Sequence, residues 1–161
     1  MNSIVVLLVA LIAAQTPPIG KADSTFDKKA NFASFRTYTW APGSHAFNPL
    51  AHKLIVDALE AEMTARGFTK VATAADVTLS YSSMAIKNVD LKALDEAERA
   101  GKAAPTKDLG RLVVVMRNPA RQQLWSAATR EYLEPDIEKL GGTIRAVTAR
   151  LFSTYPRSKS Q

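Results

Sequence analysis

Cysteine is absent from this 161-residue chain. That excludes disulfides, thiolate metal sites, a cysteine nucleophile and a lipidated cysteine. Histidine occurs only twice, which leaves little for imidazole catalysis or ligation. No apolar run approaches the roughly 20 residues that a membrane-spanning helix needs. Internal repeats and low-complexity tracts are missing, so a solenoid or a disordered chain is excluded. What remains is 47% hydrophobic and 22% charged, an ordinary globular balance. The length suits one domain.

The longest apolar run, Ile4–Ala14, is followed by Gln15-Thr16-Pro17-Pro18. Its length fits the apolar core of a secretory signal peptide, about 7–15 residues. The leading Met1–Ser3 carries no Lys or Arg, so the α-amino group alone supplies the positive end. Gly20-Lys21-Ala22 is a small-x-small pattern, which places cleavage after Ala22. Ile12-Ala13-Ala14 would complete a lipoprotein box if Cys followed, but position 15 is Gln. The expected organisation is a leader over 1–22, one domain over 23–157 and a polar tail over 158–161. The expected location is periplasmic or secreted, with an uncleaved anchor as the alternative.

The local patterns predict an α+β domain. Residues 23–34 are polar and extended. Phe35–Trp40 alternates aromatic and β-branched residues, as a strand does. Asn48-Pro49 opens a helix, with Leu50, Leu54, Ile55, Ala58, Leu59 and Met63 on one face and Gly67 at its end. A short strand over Phe68–Val71 precedes Val77–Ser82, whose strict alternation reads as a longer one. Residues 90–104 suit a short surface helix. Leu112–Met116 is the most apolar strand, Asn118–Arg121 a turn, and Gln122–Tyr132 the second hairpin arm. Ile137, Leu140, Ile144, Val147 and Leu151 mark a terminal amphipathic helix. Gly141-Gly142 inside it predicts a bend or close packing. The order is strand, helix, strand, strand, strand, helix. Two amphipathic helices packed on one face of a mainly antiparallel sheet satisfy it.

The ordered set of pieces resembles a known family. Phe26-Asp27, then Ala30–Trp40, is similar to the opening signature of the bacterial domain-of-unknown-function 4136 family. The likeness continues through Arg66-Gly67-Phe68, Ala75-Asp76-Val77, the apolar strand after Gly110, Leu124–Ala127 and Tyr155-Pro156. The resemblance implies an envelope protein, often a lipoprotein, without assigned catalytic residues. This chain departs from the family in lacking the lipidated Cys.

No constellation advertises chemistry. His45 and His52 straddle a loop-to-helix boundary with no third ligand, so no metal is expected. Ser80, Ser82 and Ser83 lie outside any G-x-S-x-G elbow. Gly141-Gly142 lacks the surroundings of a phosphate loop. Asp95, Glu96 and Glu98 have Arg99 and Lys102 as helical partners and read as a solvated face. The basic surplus, 21 Lys+Arg against 15 Asp+Glu, includes Arg111, Arg117, Arg121, Arg130, Arg145 and Arg150. These are spread over several elements without interleaved aromatics, which argues against nucleic acid. Trp40 and Trp125 read as core.

Strand 112–116 is apolar on both sides, and two helices cover only one face. Ser80, Ser82, Val113 and Val115 are therefore the candidate docking face. The function expected is binding or structural support without catalysis and without a cofactor. The partner would be an envelope protein, a lipid or an anionic envelope polymer. The alternatives are a small-molecule or lipid carrier with an apolar pocket between sheet and helices, or an envelope hydrolase.

Overall fold

A computed structural model describes residues 19–42, 46, 48–89, 91–102, 106–134 and 136–156. Most of the expected leader and His45 lie outside these residues.

Six strands form one sheet: β1 (Ala22–Phe26), β2 (Thr37–Trp40), β3 (Thr69–Lys70), β4 (Val77–Val89), β5 (Thr106–Arg117) and β6 (Gln123–Tyr132). Their order across the sheet is β1-β6-β5-β4-β2-β3. β2 runs parallel to β3 and β4, and the other pairings are antiparallel. Three helices accompany them: α1 (Pro49–Ala65), α2 (Leu91–Arg99) and α3 (Ile137–Phe152).

The expected architecture is present, with an added strand at one sheet edge. β1 was expected only as extended chain. Its sequence, Ala-Asp-Ser-Thr-Phe, places polar groups on both faces because an edge strand buries little. The two-residue β3 closes the opposite edge, paired to β2.

α1 begins as its sequence dictates. Extended Asn48 accepts hydrogen bonds at Oδ1 from the Leu50 and Ala51 N–H groups, and Pro49 fills the first helical position. At the other end Gly67 adopts φ +82°. The Phe68 N–H then reaches the Met63 carbonyl at 3.1 Å and the Gly67 N–H that of Thr64 at 2.9 Å. Such a left-handed close satisfies the last carbonyls, and Phe68 packs in the same core as Met63. α3 is capped by Asp136, whose carboxylate accepts from the Glu138 N–H.

The core lies between α1, α3 and one sheet face. Val77, Leu79 and Tyr81 of β4 meet Leu112, Val114 and Met116 of β5 and Trp125 and Ala127 of β6. Ile55, Leu59 and Met63 of α1, with Val147, Leu151 and Phe152 of α3, cover them. Trp125 is fully buried, and half-buried Trp40 packs against this core and donates Nε1 to Glu60. The close packing expected at Gly141-Gly142 is not seen: a Cβ at Gly141 would stand at an ordinary contact distance, 3.6 Å, from Leu54 Cδ2, and one at Gly142 would meet nothing within 4 Å. β2, β4 and β6 run the same way, and α1 and α3 return across them side by side. Their C-terminal ends meet where Arg66 donates to the Phe152 carbonyl.

Candidate functional site: an apolar cleft and the open sheet face

Two hollows lie at opposite ends of the paired helices. The first, at their N-terminal ends, is a cleft of about 310 Å³. Ala51 and Ile55 of α1 form one wall, Leu140 and Ile144 of α3 another, and Leu112 and Leu133 close the sheet side. The lining is mostly carbon, because core-facing positions of β4, β5 and β6 continue past the point where the helices cover them.

Gly110 shapes this cleft. A Cβ at Gly110 would stand 2.5 Å from Leu133 Cδ2, so only glycine leaves that leucine its place. Leu133 is itself 41% exposed, an apolar side chain at the mouth. Glu131 also lines the cleft, and its carboxylate is held by Arg150 of α3.

The second hollow, about 500 Å³, lies at the C-terminal ends of α1 and α3. Phe32, Phe35, Phe152 and Tyr155 meet Arg36 and Arg66 there. It is lined by charge and aromatic edges, and Arg66 is already committed to Glu62 and to the Phe152 carbonyl. Burial pushes the Tyr155 hydroxyl up to about 12, against the pull of Arg66. The tight aromatic packing of Phe32, Trp125 and Phe152 around Tyr155 reads as structure.

The candidate docking residues do come together. Ser80 stands opposite Val115, and Ser82 opposite Val113. All four lie on the face opposite α1 and α3, with Ser82 exposed and the others half-buried. Ala128 and Ser126 of β6 continue the two rows. Leu112, Val114 and Met116 are buried on the helix side, so strand β5 divides its apolar residues as expected.

The other singled-out residues take modest roles. His52 Nδ1 lies 2.5 Å from the Tyr81 hydroxyl, with the two rings stacked. Burial raises the Tyr81 hydroxyl above its ordinary range, while the Ala46 N–H lowers it. Burial likewise pushes Tyr38 up to about 12, with the Glu60 charge adding to the effect. Burial would raise Glu60, but hydrogen bonds from Lys70 and Trp40 outweigh it and hold the carboxyl low. Ser80 Oγ receives Arg117, and Ser83 lines the cleft. Asp95, Glu96 and Glu98 are exposed on α2. Among the described residues no cluster of His, Asp or Glu is arranged to hold a metal.

The arginines are less scattered than the sequence suggested. Arg111 and Arg130, 19 positions apart, are direct cross-strand partners. Pairing of β5 with β6 places both on the face opposite α1 and α3. An apolar pocket between sheet and helices was expected only as the carrier alternative and without its lining residues, although Gly110 within a strand was a signal of close approach.

A family model described as "Domain of unknown function (DUF4136)" matches residues 22–157. The chain belongs to the DUF4136 family. The match begins at the first residue of β1 and runs beyond α3, so the cleft and the open face are both parts of the DUF4136 domain. No curated protein matches the sequence. Among solved structures, the domain is similar to a PDZ domain protein from Parabacteroides distasonis, with a TM-score of 0.58 and 14% identity. That likeness covers 86% of this chain and 36% of the other, so this chain spans about a third of that protein. It is also similar to a PelC dodecamer from Paraburkholderia phytofirmans, with a TM-score of 0.52 and 12% identity over 83% of this chain and 97% of that one. A minor lipoprotein from Acinetobacter baumannii aligns at a TM-score of 0.39 and 11% identity, over 74% of this chain and 91% of that one. At these identities the first two likenesses show a shared fold alone. No described helix is long and apolar enough to cross a membrane.

Proposed function

We propose that this DUF4136 protein is exported to the cell envelope and works there by binding, taking a small apolar group into the cleft between α1, α3 and the sheet. The observation that carries the reading is the cleft itself. A cavity of about 310 Å³ with carbon walls lies at the lower end of the 300–1,000 Å³ range of ligand pockets. It suits one short acyl chain or one aromatic ring. Export rests on the Ile4–Ala14 leader, and the absence of Cys leaves nothing to acylate.

The chemistry present favours binding over hydrolysis. The Ser80 hydroxyl is held between the Val115 carbonyl and Arg117, and His52 Nδ1 faces Tyr81. A hydrolase would place a nucleophile beside a base in one pocket.

Titration with the neutral fluorophore N-phenyl-1-naphthylamine tests the proposal. The wild-type chain should bind it saturably. Ala51→Trp, which fills the cleft, should abolish the signal while keeping a cooperative melt. No saturable signal with wild type, or an unchanged signal in Ala51→Trp, would overturn the reading.

A further inference from the structure

Arg111 and Arg130 stand directly opposite each other in the β5–β6 ladder. Directly paired residues on neighbouring strands lie about 5 Å apart, and like charges so placed repel. Neither guanidinium forms a hydrogen bond or an ion pair within the described protein, and both Nε atoms are buried with no partner. A buried charged donor left unsatisfied is costly. The carboxylate nearest by register on that face is Asp23, opposite Ala128, and it pairs with neither arginine. Two planar donor forks are thus held side by side on the sheet, and among the described residues no carboxylate pairs with either.

We infer that Arg111 and Arg130 form an anion site on the sheet face opposite α1 and α3, and that it takes a phosphoryl group. Two arginines side by side call for more than one negative charge, which a phosphomonoester carries near neutral pH at about −1.5 to −2. Its oxygens match guanidinium forks bidentately, whereas lysine offers only a point charge. Arg111 also borders the cleft, whereas Arg130 does not, so Arg130→Gln tests the anion site without touching the cleft lining. Free phosphate and an anionic lipid headgroup share this chemistry.

Inorganic phosphate titrated into the full chain at low salt is the direct probe. Wild type should bind it saturably and melt several degrees higher. Arg111→Gln and Arg130→Gln should weaken binding at least tenfold, and each should melt higher than wild type without phosphate because the repulsion is gone. Arg145→Gln, exposed on α3, should bind as wild type does. Sedimentation with phosphatidic acid vesicles, whose headgroup is a phosphomonoester, against phosphatidylcholine vesicles, separates the two sources. Vesicle binding lost in Arg130→Gln identifies a headgroup, and phosphate binding without vesicle binding identifies a soluble phosphoryl ligand. No saturable phosphate binding by wild type, or equal loss in Arg145→Gln, overturns the site.

Discussion

The Arg66 guanidinium at the end of α1 donates to the Phe152 carbonyl at 2.9 Å, joining it to the end of α3. The same group lies 4.8 Å over the Phe152 ring and binds the Glu62 carboxylate one turn back. One side chain therefore answers an open carbonyl, an aromatic face and an acid at once. Hydrogen bonds from charged groups contribute about 1.5–3 kcal/mol, and partial exposure trims that. Arg66→Met, which keeps the stem, should cost about 1–2 kcal/mol in urea denaturation. An unchanged midpoint would mean that the two helices are held by their apolar contacts alone.

Asp76 ties the entry of β4 to β2. Its carboxylate accepts from the backbone N–H groups of Arg36 and Thr37, both at 2.8 Å, while the Asp76 N–H donates to Thr37 Oγ1. These backbone bonds, with the Thr37 hydroxyl, hold the Asp76 carboxyl below its ordinary range. A depressed carboxyl stabilises the fold above its unfolded value of about 3.9, and this is lost as pH falls through the lower folded value. Melting temperature followed from pH 7 to 2 should therefore fall on the acid side. Asp76→Asn should melt lower at pH 7 and show a shallower acid limb. A parallel curve for the two proteins would sink the assignment.

Val147 and Ile144 of α3 both line the cleft, but Val147 is buried and Ile144 is only partly covered. Val147→Asp should unfold the domain, since an unpaired buried carboxylate costs several kcal/mol against a total stability of about 5–15 kcal/mol. Ile144→Asp should be milder in stability and should abolish apolar probe binding. Circular dichroism melts, read with the probe titration, separate the two effects.

Export without lipid gives the fourth expectation. Mass spectrometry of protein from its native envelope should find Met1 gone, an N-terminus at or upstream of Asp23, and no acyl mass. The exact cut has a stability signature. Thr129 is buried, and its hydroxyl donates to the Lys21 carbonyl at 2.9 Å, while the Gly20 N–H reaches the Arg130 carbonyl at 2.8 Å. Cleavage after Ala22 removes both bonds, each contributing about 1 kcal/mol. A chain beginning at Asp23 should therefore melt below one cut before Ile19. Intact Met1 in a cytoplasmic fraction would overturn export.

Sequence patterns revealed the elements whose burial is periodic. α1 and α3 announced themselves through apolar residues three and four apart, and β4 through its alternation, because each buries one face. β1 stayed hidden because Asp23, Ser24 and Thr25 bury neither face fully. The lining of the cleft was illegible for a different reason: Ala51, Gly110, Leu133 and Ile144 come from four distant segments. The meeting of Arg111 with Arg130 depends on a register shift between Met116 and Arg117. Continuing the Arg117–Gln123 register instead would set Arg111 opposite Thr129. Turn residues Asn118–Arg121 were readable, but the irregularity that fixes which charges meet was not.

The pin at Arg66 and the cleft near Ala51 belong to the same pair of rods. Fifteen helical residues separate them, about 22 Å at 1.5 Å per residue. Two rods pinned at one end and touching at the other behave as a stiff pair, and a small rotation about the pinned end is carried to the far one. The jaw opening at the cleft is therefore set partly by contacts it does not touch. Loosening the Arg66 joint should register as a changed grip on an apolar guest two nanometres away, with every residue lining the cleft left as it was.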